Sequence, residues 1–319
     1  MSQPLFDLEA KRVWVAGHRG MVGSAVVRRL AQEPIGELIT ATSSEVDLRR
    51  QSETEGFVND VKPEVAIIAA AKVGGIHANR TAQADFLYDN VMIAANCLNA
   101  CRLAGVEKVV VLGSSCIYPR ESPQPIREDY LLTGPLEPTN EGYAIAKITA
   151  LELGKMQRRQ YGTDVVSLMP TNLYGPGDNY DLETSHVLPA LIRKIHEAKA
   201  NNSPTIEIWG SGRPRREFLH VDDLADATLH VTRHYSGEEH LNVGTGEDIS
   251  IRELVELIGR VVGWDGDLVL DASMPDGTPR KLLDISRLRA LGWQPSIGLA
   301  DGITHTYESF LSEHVGTTN

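Results

Sequence analysis

The sequence predicts an α/β fold: one doubly wound parallel sheet with helices on both faces, followed by a smaller C-terminal domain. Two observations predict it. Short apolar segments alternate with amphipathic ones through the first 170 residues, which is the order of parallel strands joined by crossover helices. A glycine-rich turn follows the first apolar segment. The 319 residues are enough to bury the core of one large or two smaller domains.

The predicted elements follow one another regularly up to Pro170. The strands are "RVWVAG", "EVAIIAAA", "KVVVLGSS" and "DVVSLMP". The helices between them are "VGSAVVRRLAQ", "AQADFLYDNVMIAANCLNACRLAG" and "NEGYAIAKITALELGKMQRRQYG", of which the last two end at Gly105 and Gly162. Beyond Pro170 the stretches "PTNLYGPGDNY" and "WGSGRPRREF" are rich in turn-forming residues, and the elements become shorter. We therefore expect one domain over 1–170 and a second mainly over 171–319, with some later segments returning to the sheet.

Composition excludes several classes of function. The net charge of −12 argues against nucleic acid or an anionic membrane as partner. The N-terminal "MSQPLFDLEAKRVW" has no apolar signal region, and no run of apolar residues is long enough to span a bilayer. The three cysteines are too few for a disulfide framework, so we expect a cytoplasmic protein. Cys97 and Cys101 lack partners at zinc-like spacing, and we expect buried structural thiols and no metal.

The turn after the first strand is typical of a dinucleotide-binding, Rossmann-type sheet. Glycines let the backbone turn tightly and approach a pyrophosphate, which lies at the helix N-terminus. The candidate cofactor-binding residues of this turn are Gly17, His18, Arg19, Gly20, Met21, Val22 and Gly23.

The end of the second strand favours NADP over NAD. NAD-binding sheets usually place an acid there, about 20 residues after the turn, on the ribose 2′-hydroxyl. This strand ends in "LITATSSEVD", with the neutral residues Ala41, Thr42 and Ser43. Arg19 in the glycine turn is a candidate partner for a 2′-phosphate, although it is also compatible with a solvated surface charge.

Three residues form a candidate catalytic set. Tyr143 and Lys147 are four residues apart in "EGYAIAKITA", which places them on one helical face. This helix lies between the strand that leads to Ser114 and the next parallel strand. A neighbouring lysine favours phenolate, so we expect a lowered pKa for Tyr143 and a role as general acid or base. Ser114 could hydrogen-bond the same substrate oxygen.

The glycine turn, Ser114, Tyr143 and Lys147 resemble the extended short-chain dehydrogenase/reductases, many of which act on nucleotide sugars. Further motifs match over nearly the whole chain: "AGHRGMVGSA", "AAAKVGGI", "LGSSCIYP", "LEPTNEGYAIAK", "MPTNLYGP", "SHVLPAL", "WGSG", "REFLHVDD" and "PDGTPRKLLD". They are similar to the branch that epimerises C3 and C5 of GDP-4-keto-6-deoxy-D-mannose and reduces C4 with NADPH, which gives GDP-L-fucose. The resemblance also implies a homodimer.

The resemblance implies roles for further residues. Cys116, two residues past Ser114, would be one acid/base group of the epimerisation and His186 the other. Additional cofactor-binding positions would be Leu112, Gly113, Ser114, Ser115, Tyr143, Lys147, Pro170, Thr171, Asn172, Leu173 and His186. The GDP-sugar would bind Lys194, Trp209, Arg216 and Asp276. Arginine suits a diphosphate because it donates bidentate hydrogen bonds.

Three alternatives remain. A nucleotide-sugar 4,6-dehydratase would carry a carboxylate just after the serine, and "SSCIYPR" has none. A 4-epimerase would need no extra acid/base pair such as Cys116 and His186. A non-catalytic NADP-binding protein on the same fold would typically lack Tyr143 or Lys147. Cys116 by itself is also compatible with a small hydrophobic residue packed at a strand end.

Overall fold

The computed structural model describes residues 4–271, 273 and 276–315, and of Ile76 and His77 the backbone alone. The strands are β1 (Arg12–Ala16), β2 (Glu37–Ile39), β3 (Val65–Ile68), β4 (Lys108–Leu112), β5 (Val165–Pro170), β6 (Asn172–Tyr174), β7 (Thr205–Trp209), β8 (Arg215–Arg216), β9 (Phe218–His220), β10 (Leu241–Val243), β11 (Ile249–Ser250), β12 (Asp267–Asp271) and β13 (Arg280–Lys281). The helices are α1 (Met21–Leu30), α2 (Gln51–Val61), α3 (Ile76–Thr81), α4 (Gln83–Ala104), α5 (Glu141–Tyr161), α6 (Val187–Ala200), α7 (Val221–His234), α8 (Ile251–Val262), α9 (Ser286–Ala290) and α10 (Leu299–Phe310).

A six-stranded sheet in the order β10-β5-β4-β3-β1-β2 forms the centre of the molecule. Every neighbouring pair in it is parallel. The chain runs outward from β1 to β2 and then returns to β3 on the other side of β1. Such a reversal opens a crevice beyond the carboxyl ends of β1 and β3, where ligands of doubly wound sheets bind. The predicted fold class is therefore confirmed.

The two faces of the sheet are buried against different helices, because side chains alternate along each strand. Val13 and Val15 of β1 pack in one apolar cluster with residues of α1 and α7. Trp14 points to the other face and packs in a second cluster with residues of α2 and α4. Cys97 and Cys101 lie in this second cluster as free, fully buried thiols, as predicted. Burial raises the pKa of Cys101 to about 12.

The chain beyond Pro170 builds both on the main sheet and outside it. Its strand β10 pairs with β5, and its helix α7 covers the same face as α1. The other strands form small sheets in the orders β11-β8-β13, β12-β7 and β6-β9. An apolar cluster from α6, α8 and α10 packs beneath them. The domain boundary at residue 170 stays a prediction. No helix in the described part of the chain is long and apolar enough to cross a membrane.

Candidate active site

The glycine turn is a close-packed backbone cradle. Gly17 has a φ of +82°, and a Cβ built on it would lie 2.7 Å from Ala70 Cα, beyond β3. A Cβ on Gly23 would lie 2.1 Å from Gly17 O, so only glycine lets the first turn of α1 approach β1 this closely. Gly20 precedes α1 without a side-chain cap, which leaves the first N–H groups of the helix available to an anion. The cradle therefore fits a dinucleotide pyrophosphate.

The end of β4 positions Ser114 and Cys116. A Cβ on Gly113 would lie 2.3 Å from Met169 Sδ, so a larger residue here would require the Met169 side chain to move. Ser114 Oγ then accepts a hydrogen bond from Cys116 N–H at 3.3 Å and begins the short 3₁₀ turn Ser115–Ile117. The turn brings Cys116 back beside Ser114.

Lys147 links α5 to the end of β4. Its Nζ donates a hydrogen bond to Leu112 O at 2.8 Å and lies 5.6 Å from the centroid of the Tyr143 ring. Burial lowers the pKa of Lys147 to about 8. Burial also raises the pKa of Tyr143, helped by the nearby Cys116, which is opposite to the direction expected from Lys147 alone. The phenol of the free protein is therefore protonated at neutral pH and suited to donating a proton.

Cys116 is a buried thiol that is influenced by two lysine side chains. Only 6% of its surface is exposed, and this burial raises its pKa. The charge of Lys281, a hydrogen bond with Ser114 and the charge of Lys147 oppose that rise. Lys281 stands in "PRKLLD" and received no role from the sequence. It enters the site because β13 pairs with β8 in the register that sets Lys281 opposite Arg216.

His186 lies at the start of α6, where it precedes the first helical residue without capping it. Its residue surface is exposed, although the protein atoms around the ring lower the imidazole pKa. The preceding loop is held across the site, since Gly75 N–H donates to Thr184 O at 2.7 Å. Within the described residues no hydrogen bond or ion pair joins His186 to Cys116 or Tyr143. The structure thus brings together four of the five predicted catalytic residues, with His186 approaching from another loop.

The predicted cofactor-binding segment 170–173 continues directly from β5 at the same edge of the sheet. Thr171 N–H donates to Val243 O at 2.9 Å, and Asn172 Nδ2 donates to Glu217 O at 2.8 Å. The Glu217 carboxylate is itself fully buried and accepts hydrogen bonds from the N–H groups of Gly246 and Leu283. Glu217 therefore ties this segment to the strand that carries Arg216, a role that no local pattern in the sequence indicated.

Of the four predicted substrate-binding residues, Trp209 and Arg216 lie on the small sheets, Lys194 on α6, and Asp276 between β12 and β13. Arg216 donates from Nη1 to Thr278 O at 2.6 Å, and Lys194 Nζ lies 3.5 Å from Glu207 O. Trp209 is 68% exposed at the end of β7. Asp276 accepts hydrogen bonds from Ser211 N–H at 2.8 Å and Ser211 Oγ at 2.7 Å, so its carboxylate also closes the turn that follows Trp209.

A parallel sheet with a glycine cradle and a half-buried Ser-Tyr-Lys set defines a class of dinucleotide-dependent enzymes that act on a carbonyl or hydroxyl group. The comparison with protein families agrees with this class. The family described as "NAD dependent epimerase/dehydratase family" matches residues 13–244, and the chain belongs to it. The resemblance to extended short-chain dehydrogenase/reductases is thereby confirmed.

Curated relatives narrow the class. The chain is 55% identical over 309 residues to a GDP-L-fucose synthase of Sinorhizobium fredii, covering 97% of this chain and 98% of the relative. It is 51% identical over 313 residues to the GDP-L-fucose synthase of Escherichia coli, covering 95% and 98%. Among solved structures, a GDP-L-fucose synthetase of Naegleria fowleri bound to NADP is 28% identical, with a TM-score of 0.89 and coverage of 99% and 98%.

Proposed function

We propose that this protein catalyses the NADPH-dependent 3,5-epimerisation and 4-reduction of GDP-4-keto-6-deoxy-D-mannose to GDP-L-fucose. The observation that carries the proposal is the thiol of Cys116, buried beside Tyr143 and Lys147. A plain ketone reductase needs no acid/base group besides the tyrosine, whereas an epimerase needs one to move carbon-bound protons. The similarity to GDP-L-fucose synthases over nearly the whole chain supports the same reaction.

The reduction needs a proton donor at O4 of the sugar. NADPH, when bound, supplies the hydride equivalent. Tyr143 donates its phenolic proton to O4, and its raised pKa keeps that proton in place until the oxygen becomes basic. Ser114 hydrogen-bonds the same oxygen, and Lys147 holds the tyrosine face of α5 against Leu112.

The epimerisation moves two protons without any change in oxidation state. The C4 ketone acidifies the protons on C3 and C5. The Cys116 thiolate takes each proton, and the electron pair of the broken C–H bond moves into an enolate on O4. Protonated His186 returns a proton to the opposite face of the same carbon, and the enolate collapses to the ketone. Cys116 then gives up its proton, and His186 regains one, through solvent before the second carbon reacts. The lowered pKa of His186 makes its imidazolium a stronger acid and a smaller fraction of the molecules at neutral pH.

The substrate is held by its GDP moiety. Arg216 offers a guanidinium to the diphosphate, and Lys194 adds a second positive charge. Trp209 presents an exposed flat ring against which a sugar or base can pack. Asp276 keeps the Trp209 turn in place and retains acceptor capacity for a hydroxyl or a base edge.

The proposal includes a homodimer that works in the cytoplasm. Large apolar side chains are exposed on the neighbouring helices α4 and α5, among them Tyr88 at 63%, Leu103 at 58%, Ile145 at 39% and Met156 at 47%. A second copy would cover such a surface. All three cysteines are free, as suits a reducing compartment.

Deuterium wash-in tests the proposal. Cys116→Ser should keep the fold and cofactor binding but lose exchange at C3 and C5 by about 10²–10⁴-fold, because an alkoxide is inaccessible in this role. The variant should slowly reduce the unepimerised sugar, since Tyr143 is untouched. NMR in D₂O measures the exchange and identifies the product. Cys97→Ala, which changes a thiol outside the site, is the control. Wild-type exchange in Cys116→Ser would return this cysteine to a packing role.

A further inference from the structure

A carboxylate lies close to the end of β2, although the residues that directly follow this strand are neutral. β1 and β2 are parallel neighbours paired up to Trp14↔Ile39, so the residues that follow each strand leave the sheet at the same edge. Thr42 is three residues past the end of β2, and Gly17 directly follows β1. The chain then turns back, and Glu45 accepts hydrogen bonds from both the N–H and the hydroxyl of Thr42, each at 2.7 Å. The position that the sequence left neutral is therefore occupied by a carboxylate from three residues further on.

This carboxylate has spare hydrogen-bonding capacity. Both bonds from Thr42 end on Glu45 Oε2, and Oε1 accepts none from the described residues. The residue is exposed at the rim of the crevice. The bonds from Thr42, with the charges of Arg19 and His18, lower the pKa of Glu45, so it is ionised at neutral pH. An ionised acid at this place accepts a hydrogen bond from a ribose 2′-hydroxyl.

Two residues of the glycine turn, Arg19 and His18, influence this carboxylate electrostatically and are the candidates for holding a 2′-phosphate. Arg19 and His18 act on Glu45 and form no hydrogen bond or ion pair with other residues in the described part of the chain. The arginines that follow β2 are already engaged. Arg49 pairs with Asp47 at 2.8 Å, and Arg50 lies within 3.7 Å of both Asp47 and Glu53. A 2′-phosphate here would share Arg19 and His18 with the existing anion Glu45.

We propose that Glu45 sets the cofactor preference of this protein, accepting the 2′-hydroxyl of NADH and competing with the 2′-phosphate of NADPH for Arg19 and His18. The inference rests on the proposed use of NADPH and predicts that NADH is bound as well, with only a modest difference in affinity. Like charges at a solvent-exposed site repel moderately and are screened by salt. The preference for NADPH over NADH is therefore small and depends on ionic strength.

Titration calorimetry of the full chain with NADP⁺ and NAD⁺, without sugar, tests the inference. Glu45→Gln keeps an acceptor for Thr42 and removes the charge. It should raise the ratio of NADP⁺ to NAD⁺ affinity roughly fivefold at low salt, and less at high salt. The gain should vanish when Arg19→Ala is added. Glu253→Gln is the matched control, because Glu253, on α8, accepts hydrogen bonds from the N–H and the hydroxyl of Ser250 in the same way.

A second variant covers the case in which Glu45→Gln disturbs the turn. Ser43→Arg leaves Glu45 in place and gives it a cation, and it should tighten NADP⁺ binding but not NAD⁺ binding. An unchanged affinity ratio in both variants would overturn the inference. So would an equal weakening of both cofactors by Glu45→Gln, because Glu45 would then only close the turn. Since no sugar is present, failure of the proposed sugar chemistry would leave these results interpretable.

Discussion

The cofactor cradle and the region around Arg216 bind phosphate groups, as we propose, by different physical means. In the cradle, Gly17 and Gly23 place bare backbone N–H groups at the start of α1, and the contacting residues are close in sequence. Around Arg216 the ligands are side chains, and Arg216 is held by Thr278, 62 residues away. The first region depends on the absence of side chains at its glycines, which exposes the backbone N–H groups. The second depends on strands that meet only in the folded chain.

The two regions meet at Cys116, where residues of both kinds surround one thiol. Ser114 and Lys147 come from the regular parallel sheet and its crossover helix. Lys281 comes from the small sheet that also carries Arg216. Substitutions in the cradle should therefore change cofactor binding, those near Arg216 should change sugar-nucleotide binding, and those at the junction should change the chemical steps.

The largest effect is expected at the junction. Tyr143→Phe removes the proton donor to O4 and should lower the rate of NADPH oxidation by about 10²–10⁴-fold. Binding of both NADP⁺ and GDP should remain, because the variant removes one hydroxyl and leaves the glycine cradle and Arg216 unchanged. Stopped-flow absorbance and calorimetry measure the two quantities. Tyr161→Phe, at the exposed end of α5, is the control. Turnover close to the natural rate would contradict the assignment.

The next largest effect is expected on NADP⁺ binding, and it tests whether the cofactor is held by backbone groups rather than by side chains. Gly23→Ala forces a Cβ to within 2.1 Å of Gly17 O and should weaken NADP⁺ binding by roughly 100-fold, with loss of stability. Gly56→Ala is the matched glycine, since its Cβ meets nothing within 4 Å. It should leave binding unchanged and stabilise α2 by about 0.5–1 kcal/mol. If the two variants bound NADP⁺ equally well, the close-packed glycines of the cradle would have no special role in cofactor binding.

A smaller effect, selective for GDP binding, is expected in the region around Arg216. Arg216→Ala should weaken GDP binding by roughly 10- to 100-fold, the range for losing charge-assisted hydrogen bonds. NADP⁺ binding should not change. Arg213→Ala, at an exposed position two residues before β8, is the control. If Arg216→Ala weakened both ligands alike, the two regions would not be separate, and Arg216 would act through the fold.

The smallest effect concerns the acidity of the thiol. Lys281→Met removes the largest positive influence on Cys116, so the thiol pKa should rise further above its ordinary value. Because the thiolate forms only above that pKa, the pH profile of C3 and C5 exchange should move to higher pH. We expect a loss of about tenfold at neutral pH, or one pKa unit. Absorbance of the thiolate at different pH values checks the cause independently of turnover.

Arg280→Met is the matched control for Lys281, because Arg280 is its neighbour on β13 and pairs with Asp248 instead. This variant should leave the exchange profile in place. An unshifted profile in Lys281→Met would show that the small sheet does not tune Cys116, and would separate the two regions completely.

The sequence by itself determined the parallel sheet, the cofactor cradle and the Tyr143–Lys147 pair. Each is encoded by spacing within one or two elements: apolar runs for strands, glycines at a turn, and residues four apart on a helix. Such patterns act through local backbone geometry, which neighbouring residues control. For that reason these predicted elements agree closely with the observed helices and strands of the first 170 residues.

Only the tertiary structure decided how the site is charged. The pKa of Tyr143 is raised by burial and by the nearby Cys116, and burial is a property of the packed chain. Lys281 lies more than half of the sequence away from Cys116, and the pairing of β13 with β8 brings it close enough to influence the thiol. Glu45 reaches the cradle because a turn folds it back onto Thr42. Electrostatic effects depend on the distances between groups and on their burial from solvent. Both are set by the tertiary fold and cannot be inferred from the order of residues along the chain.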